Sequence, residues 1–166
     1  IMELFSKDSI NMTLEDWSTI ASGIRQNQEQ YDGFLIFHGT GTMGYFSSFL
    51  SFVMRSFPKP IVITGAMKPI SLPGSDVKDN VTNSFLFLKK LIQEEQKGVS
   101  ICFTNKLIHG PRAKKIRWIE NDAFESINYP YIGLISNSDI KYLKQPEIRN
   151  NSFLFPVNST FEQRIS

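Results

Sequence analysis

The amino-acid sequence predicts an α/β fold of three layers, with a doubly wound, mostly parallel sheet and helices on both faces. Three observations carry the prediction. Short apolar runs alternate with segments of helical period, the runs lack in/out alternation, and each run ends in a turn rich in Gly, Thr or Asn. A run without alternation suits a strand buried on both faces, as in a parallel sheet.

"TLEDWSTIASGIRQ" opens with Thr13 three residues before Asp16, a capping-box start, and Leu14, Trp17, Ile20, Ala21 and Ile24 mark one helical face; a helix is expected over 13–27. "GFLIFH" reads as a strand at 34–38. Met43, Phe46, Leu50, Val53 and Phe57 recur at spacings of three and four, which predicts a helix over 42–57 stopped by Pro58. "KPIVITGA" supplies a strand at 60–64. A Pro/Gly/Ser loop, Pro69 to Gly74, precedes a third helix at 78–96, marked by Val81, Phe85, Leu88 and Ile92 and closed by Gly98. "VSICFTN" is the third strand, at 99–104. Beyond Pro130 the periodicity fades, so an α/β domain is expected over 1–135 and a linker or edge segment over 136–166.

Composition bounds the function. At 166 residues, 41% hydrophobic and 20% charged, the chain is made like a soluble domain with a sizeable core. Eighteen Lys and Arg against sixteen Asp and Glu give +2, a balance that carries no charge signature of a nucleic-acid or membrane partner. The one cysteine, Cys102, sits in an apolar run and reads as a core residue, which fits a reducing compartment and, in the absence of a signal-like or membrane-spanning stretch, a cytoplasmic location. His38 and His109 have no ligand partners at metal spacing, so they read as structural histidines.

In a doubly wound sheet, ligands sit beyond the carboxyl ends of the strands. The polar turns there are "HGTGT" (His38 to Thr42), "TGAMKP" (Thr64 to Pro69) and "TNKLIHGPRAKK" (Thr104 to Lys115), joined by "DSINM" (Asp8 to Met12). Gly39, Gly41 and Gly44 spell G-x-G-x-x-G between a strand and a helix, the outline of a dinucleotide fingerprint. That reading also needs an acid at the end of the next strand to hold a ribose, and "TGA" supplies none. A dinucleotide-binding oxidoreductase is therefore the weaker alternative, and the threonines of the turn become the candidates.

"DSINMTLEDW", "YDGFLIFHGTGTMGY", "KPIVITGAMKPI", "SDVKDN" and "HGPRAKKIRWIENDAFESINYPYIG" resemble, in order and spacing over residues 3–135, the bacterial L-asparaginase family, nearer its cytoplasmic type. The resemblance implies the fold of that family's N-terminal domain, hydrolysis of L-asparagine to L-aspartate and ammonia, and neither metal nor cofactor. It places Thr40 and Lys115 as the catalytic threonine–lysine pair. Ser9, which holds the substrate carboxylate, together with Gly39, Gly41 and Ala66, would line the substrate site. A lysine ammonium beside a threonine hydroxyl can lower its pKa or carry its proton, and a helix starting at Thr42 would aim free N–H groups at an anion.

The departures from the family pattern point the other way. The family has an aspartate, which binds the substrate ammonium and supports the relay, where this chain has Gly41; losing it creates the apparent glycine fingerprint. Ile10 stands where a polar residue is usual. The first nucleophile of the family lies on a T-G-G-T loop expected upstream of residue 1, and a smaller C-terminal domain is expected downstream. The sequence thus predicts a truncated and catalytically impaired amidohydrolase domain, or a non-catalytic binding module of the same fold. Surfaces that those segments would cover should drive self-association into a homo-oligomer. On local chemistry alone, Thr40 and Thr42 would be turn and N-cap residues, and "PRAKKIR" a solvated loop.

Overall fold

The computed structural model describes residues 1–136 and 139–142. A short 3-10 turn at Ser9–Asn11 leads into α1 (Leu14–Gln26), followed by β1 (Phe34–Phe37), α2 (Met43–Val53), β2 (Pro60–Thr64), α3 (Val77–Gln93) and β3 (Gly98–Phe103). Then come β4 (Lys106–His109), a 3-10 turn at Gly110–Arg112, β5 (Ala113–Lys115), β6 (Phe124–Ser126), β7 (Gly133–Ser136) and β8 (Asp139–Tyr142). The expected segment 136–166 lies outside the described residues except for Ser136 and β8. Among the described residues, no helix is long and apolar enough to cross a membrane.

The main sheet has the order β1-β2-β3-β4-β7-β8. Its first three strands are parallel, as expected, with Phe34 opposite Ile61 and Ile61 opposite Val99. From β3 onward every pairing is antiparallel, so the sheet is mixed. Thr104 to Lys115, expected as a polar turn, contains β4 and β5. Thr104, at φ 56°, turns the chain back, and Leu107 and Ile108 are fully buried. A Thr-Asn turn lacks the Gly that usually announces a hairpin, which is why periodicity alone passes over it.

Ile61, Ile63, Val99, Ile101 and Ile108 face α1 and α2 in one core, whereas Val62, Cys102 and Leu107 face α3 in another. The two helical connections thus run on opposite faces although β1, β2 and β3 step in one direction. Two crossovers with the same strand direction and the same step but opposite faces have opposite hands, so one of them is left-handed, against the usual rule. Their divergence opens a crevice at the carboxyl ends of β1 and β2, the geometry that makes a switch point.

Local differences from the periodicity have physical reasons. Leu14 is exposed, because α1 buries only Ile20, Ala21 and Ile24. α2 ends at Val53, and Phe57 reaches the core from the turn after it, its N–H donating to Met54 O at 2.9 Å. α3 ends at Gln93, five residues before Gly98; Glu95, at φ 52°, makes the left-handed turn. The buried stripe of α3 is Asn80, Ser84, Phe87, Leu88 and Leu91, while Phe85 faces out. Two polar residues therefore lie under the sheet, and an apolar count misplaces the face. Gly65 is required by contact: a Cβ there would stand 2.2 Å from the carbonyl oxygen of His38.

Candidate functional site

The site begins at the 3-10 turn of Ser9. Asp8 caps it by accepting Ile10 N–H at 3.1 Å, and Ser9 is 3% exposed. The turn is anchored to the loop after β1: Thr42 Oγ1 donates to Ser9 O at 2.8 Å. Thr42 occupies the N-cap position of α2, but its hydroxyl makes no capping bond, being committed to Ser9. The contact is close on both sides of Thr40. A Cβ at Gly39 would lie 2.6 Å from Ser9 Oγ, and one at Gly41 would lie 3.1 Å from Ser9 Oγ and 3.0 Å from Ile10 Cγ2.

Between these glycines, Thr40 accepts a hydrogen bond from Lys115 across the fold, Nζ to Oγ1 at 2.8 Å. Lys115 arrives on β5, which pairs with β6 in a separate two-stranded sheet, Lys115 opposite Phe124. β5 packs against the start of α2 closely enough that a Cβ on Gly44 would meet Ala113 O at 2.9 Å. Burial lowers the Lys115 pKa from its ordinary value, and the ammonium also lies 4.7 Å from the Trp118 ring centroid. Among the described residues, no carboxylate oxygen lies within 4.0 Å of it.

Ala66 lines a groove of about 330 Å³ at the ends of β1 and β2, together with Phe37, His38, Gly39, Gly65, Val77 and Val81. The structure therefore brings Ser9, Gly39, Thr40, Gly41 and Lys115 to one place, and Ala66 lines the same groove as Gly39. His38 stacks on Phe46 with centroids 4.6 Å apart and pairs its Nδ1 with Gly39 O at 2.8 Å. Its Nε2 is buried without a partner, and burial lowers its pKa, so it stands as a neutral imidazole. Cys102 is inert, its thiol pushed up to about 12 by burial.

Two residues that hold this site in shape, Asp76 and Asn80, lie in the motif SDVKDN, which pointed to the family but assigned neither of them a role. Asp76 is 5% exposed and accepts from Met67 N (3.0 and 2.9 Å), Lys68 N (3.0 Å) and Asn80 Nδ2 (2.9 Å). Asn80 also donates to Gly65 O at 2.9 Å and accepts Thr104 N–H at 2.7 Å. The one available signal is the D-x-x-x-N spacing at the start of a helix, which puts both side chains on one face. Behind Lys115, Lys106 and Arg117 meet Asp122 and Glu125, a balanced cluster under the β5–β6 sheet.

Comparison with known proteins follows the same pattern. A family profile described as "Asparaginase, N-terminal" matches residues 1–148. The L-asparaginase of Thermococcus kodakarensis is 36% identical over 153 residues, covering 92% of this chain and 45% of that protein. L-asparaginase 1 of Escherichia coli K12 is 39% identical over 123 residues, covering 74% and 36%. The chain thus spans less than half the length of these relatives. Among solved structures, the thermostable T. kodakarensis L-asparaginase superposes with a TM-score of 0.81 at 36% identity, covering 89% of this chain and 44% of that one. A "probable cytoplasmic L-asparaginase" from Campylobacter jejuni gives 0.76 at 29% identity, covering 84% and 43%. With the profile match running through nearly all the described residues and this fold shared with solved L-asparaginases, the chain belongs to the asparaginase family, as its N-terminal domain.

Proposed function

We propose that the chain supplies the substrate turn and the proton relay of an L-asparaginase-type amidohydrolase, in an impaired form. The observation that carries this is the Lys115 Nζ–Thr40 Oγ1 bond, which joins residues 75 positions apart at the carboxyl end of β1. In the relay, Lys115 in its neutral form would take the Thr40 hydroxyl proton as Thr40 takes one from the attacking hydroxyl, that of a T-G-G-T threonine which these 166 residues do not contain. A depressed lysine pKa favours that direction. The attacking oxygen then bonds to the amide carbon, and the carbon–nitrogen bond breaks as the leaving nitrogen gains the relayed proton to depart as ammonia. Water finally cleaves the acyl intermediate. Ser9 and the first-turn N–H groups of α2 would hold the carboxylate end of the substrate.

No T-G-G-T occurs in the 166 residues, and Gly41 provides no carboxylate. Losing a catalytic group typically costs orders of magnitude in rate, so the 166-residue chain should release ammonia from L-asparagine at no more than a trace rate. Fast release abolished by Thr40→Ala would overturn the impaired reading. Binding tests the site itself: among L-asparagine, L-aspartate and succinate, at least one should raise the Tm of the chain, and not that of Thr40→Ala or Lys115→Met. If none does, the site reading falls.

That no carboxylate oxygen lies within 4.0 Å of Lys115 among the described residues favours a second reading, a non-catalytic binding module of the same fold. The family match displaces the dinucleotide alternative. A homo-oligomer and a cytoplasmic location belong to the proposal, the former on the exposed apolar side chains of Phe37, Trp118 and Ile119 and the latter on the C. jejuni neighbour.

A further inference from the structure

Gly41 and Ile10 depart from the family pattern in different segments of the sequence, yet in the fold they touch: a Cβ on Gly41 would stand 3.0 Å from Ile10 Cγ2. A carboxylate placed at 41 would be built against a methyl group, and a polar side chain at 10 would have no acid to meet. The two positions form one apolar wall over Ser9, and Ile10 is largely exposed toward solvent. The remaining charge at the site is positive. Lys115 has a hydroxyl and an aromatic ring for neighbours and no carboxylate oxygen within 4.0 Å among the described residues. Asp8, the acid nearest in sequence to Ile10, accepts Ile10 N–H at the start of the turn.

A ligand ammonium entering here would find no carboxylate on the wall of Gly41 and Ile10 and a like charge in Lys115, with the Asp8 carboxylate turned to Ile10 N–H. A carboxylate would find Lys115, Ser9 and the start of α2, whose side-chain cap is absent because Thr42 bonds Ser9 O. We propose that this site takes a small dicarboxylate or its monoamide without an α-ammonium, the wall of Gly41 and Ile10 replacing the ammonium subsite. The inference rests on the amidohydrolase-type reading of the same site and narrows its ligand class.

Isothermal titration of the chain with succinate and with L-aspartate, which differ only by the α-ammonium, tests it. Succinate should bind about tenfold more tightly, as expected when an unpaired charge must be desolvated, and Lys115→Met should abolish the succinate heat. Gly41→Asp combined with Ile10→Ser should reverse the preference, and Ile10→Ser alone should narrow it if the double variant does not fold. L-Aspartate binding more tightly than succinate to the unaltered chain overturns this inference and leaves the amidohydrolase reading standing. Succinate heat that survives Lys115→Met also overturns it, by placing the ligand elsewhere. No heat from either ligand removes both.

Discussion

Asp76 and Asn80, one helical turn apart at the start of α3, are hydrogen-bonded at 2.9 Å and between them hold the loops after β2 and β3. The carboxylate that would ordinarily cap its own helix is turned onto the loop carrying Ala66, and the amide behind it reaches Gly65 and Thr104. This pair ties the loop that carries Gly65 and Ala66, which lines the groove at the ends of β1 and β2, to the start of α3 and to the turn after β3.

Removing Asp76 leaves Met67 N–H, Lys68 N–H and one Asn80 donor unsatisfied in a buried place. Asp76→Ala should cost about 3 kcal/mol of unfolding free energy, and Asn80→Ala about 2 kcal/mol. The pair should couple by about 1 kcal/mol in a double-mutant cycle read by urea unfolding. Additive losses would show that the two side chains act independently.

Thr42→Val deletes the bond to Ser9 O while keeping the shape of the side chain. A loss of about 1 kcal/mol is expected, from detachment of the Ser9 turn and not from helix capping. Faster amide exchange confined to residues 8–12 would confirm the location, while Thr42→Ser, which keeps the hydroxyl, should restore slow exchange. Faster exchange along α2 instead would mean that Thr42 does cap that helix.

Burial depresses the pKa of both His38 and His109 below the ordinary 6.5. Below about pH 6.5 the unfolded chain takes up protons that the folded chain refuses, so stability must fall as pH falls. The expected record is a Tm that declines from pH 7 to pH 5. His38→Asn should flatten part of that decline, because an amide can keep a donor toward Gly39 O without titrating. An unchanged slope in the variant would assign the effect to other groups.

β1 is an edge of the described sheet and leaves Phe37 54% exposed, and Trp118 and Ile119 are exposed beside Lys115. Self-association is expected, since open strand edges and apolar side chains draw partners. Sedimentation at increasing concentration should show dimers or larger species, reduced by Phe37→Lys. A monomer at all concentrations would remove the homo-oligomer from the proposal.

Residue order alone was enough for the alternation β-α-β-α-β, because a strand buried on both faces and a helix with one apolar stripe leave different periods in the chain. Marking Thr40 and Lys115 took the resemblance of their motifs to the asparaginase family. What residue order could not carry was the antiparallel half of the sheet: β4 is announced by a Thr-Asn turn whose geometry depends on a positive φ at Thr104. Nor could it assign the inner face of α3, where Asn80 is buried with partners on the loops after β2 and β3 and Ser84 is buried donating to Asn80 O one turn back.

The candidate site divides the same way. Ser9, Thr40 and Lys115 were nominated by the family motifs that contain them; on local chemistry alone Thr40 read as a turn residue and Lys115 as part of a solvated loop. That Lys115 reaches Thr40 over 75 positions, that Thr42 is drawn away from its helix by Ser9, and that Gly41 and Ile10 share one wall were decided only by the tertiary structure. Hydrogen bonds and steric contacts act over a few ångströms in space, and the distance along the chain holds no record of which groups the fold brings that close.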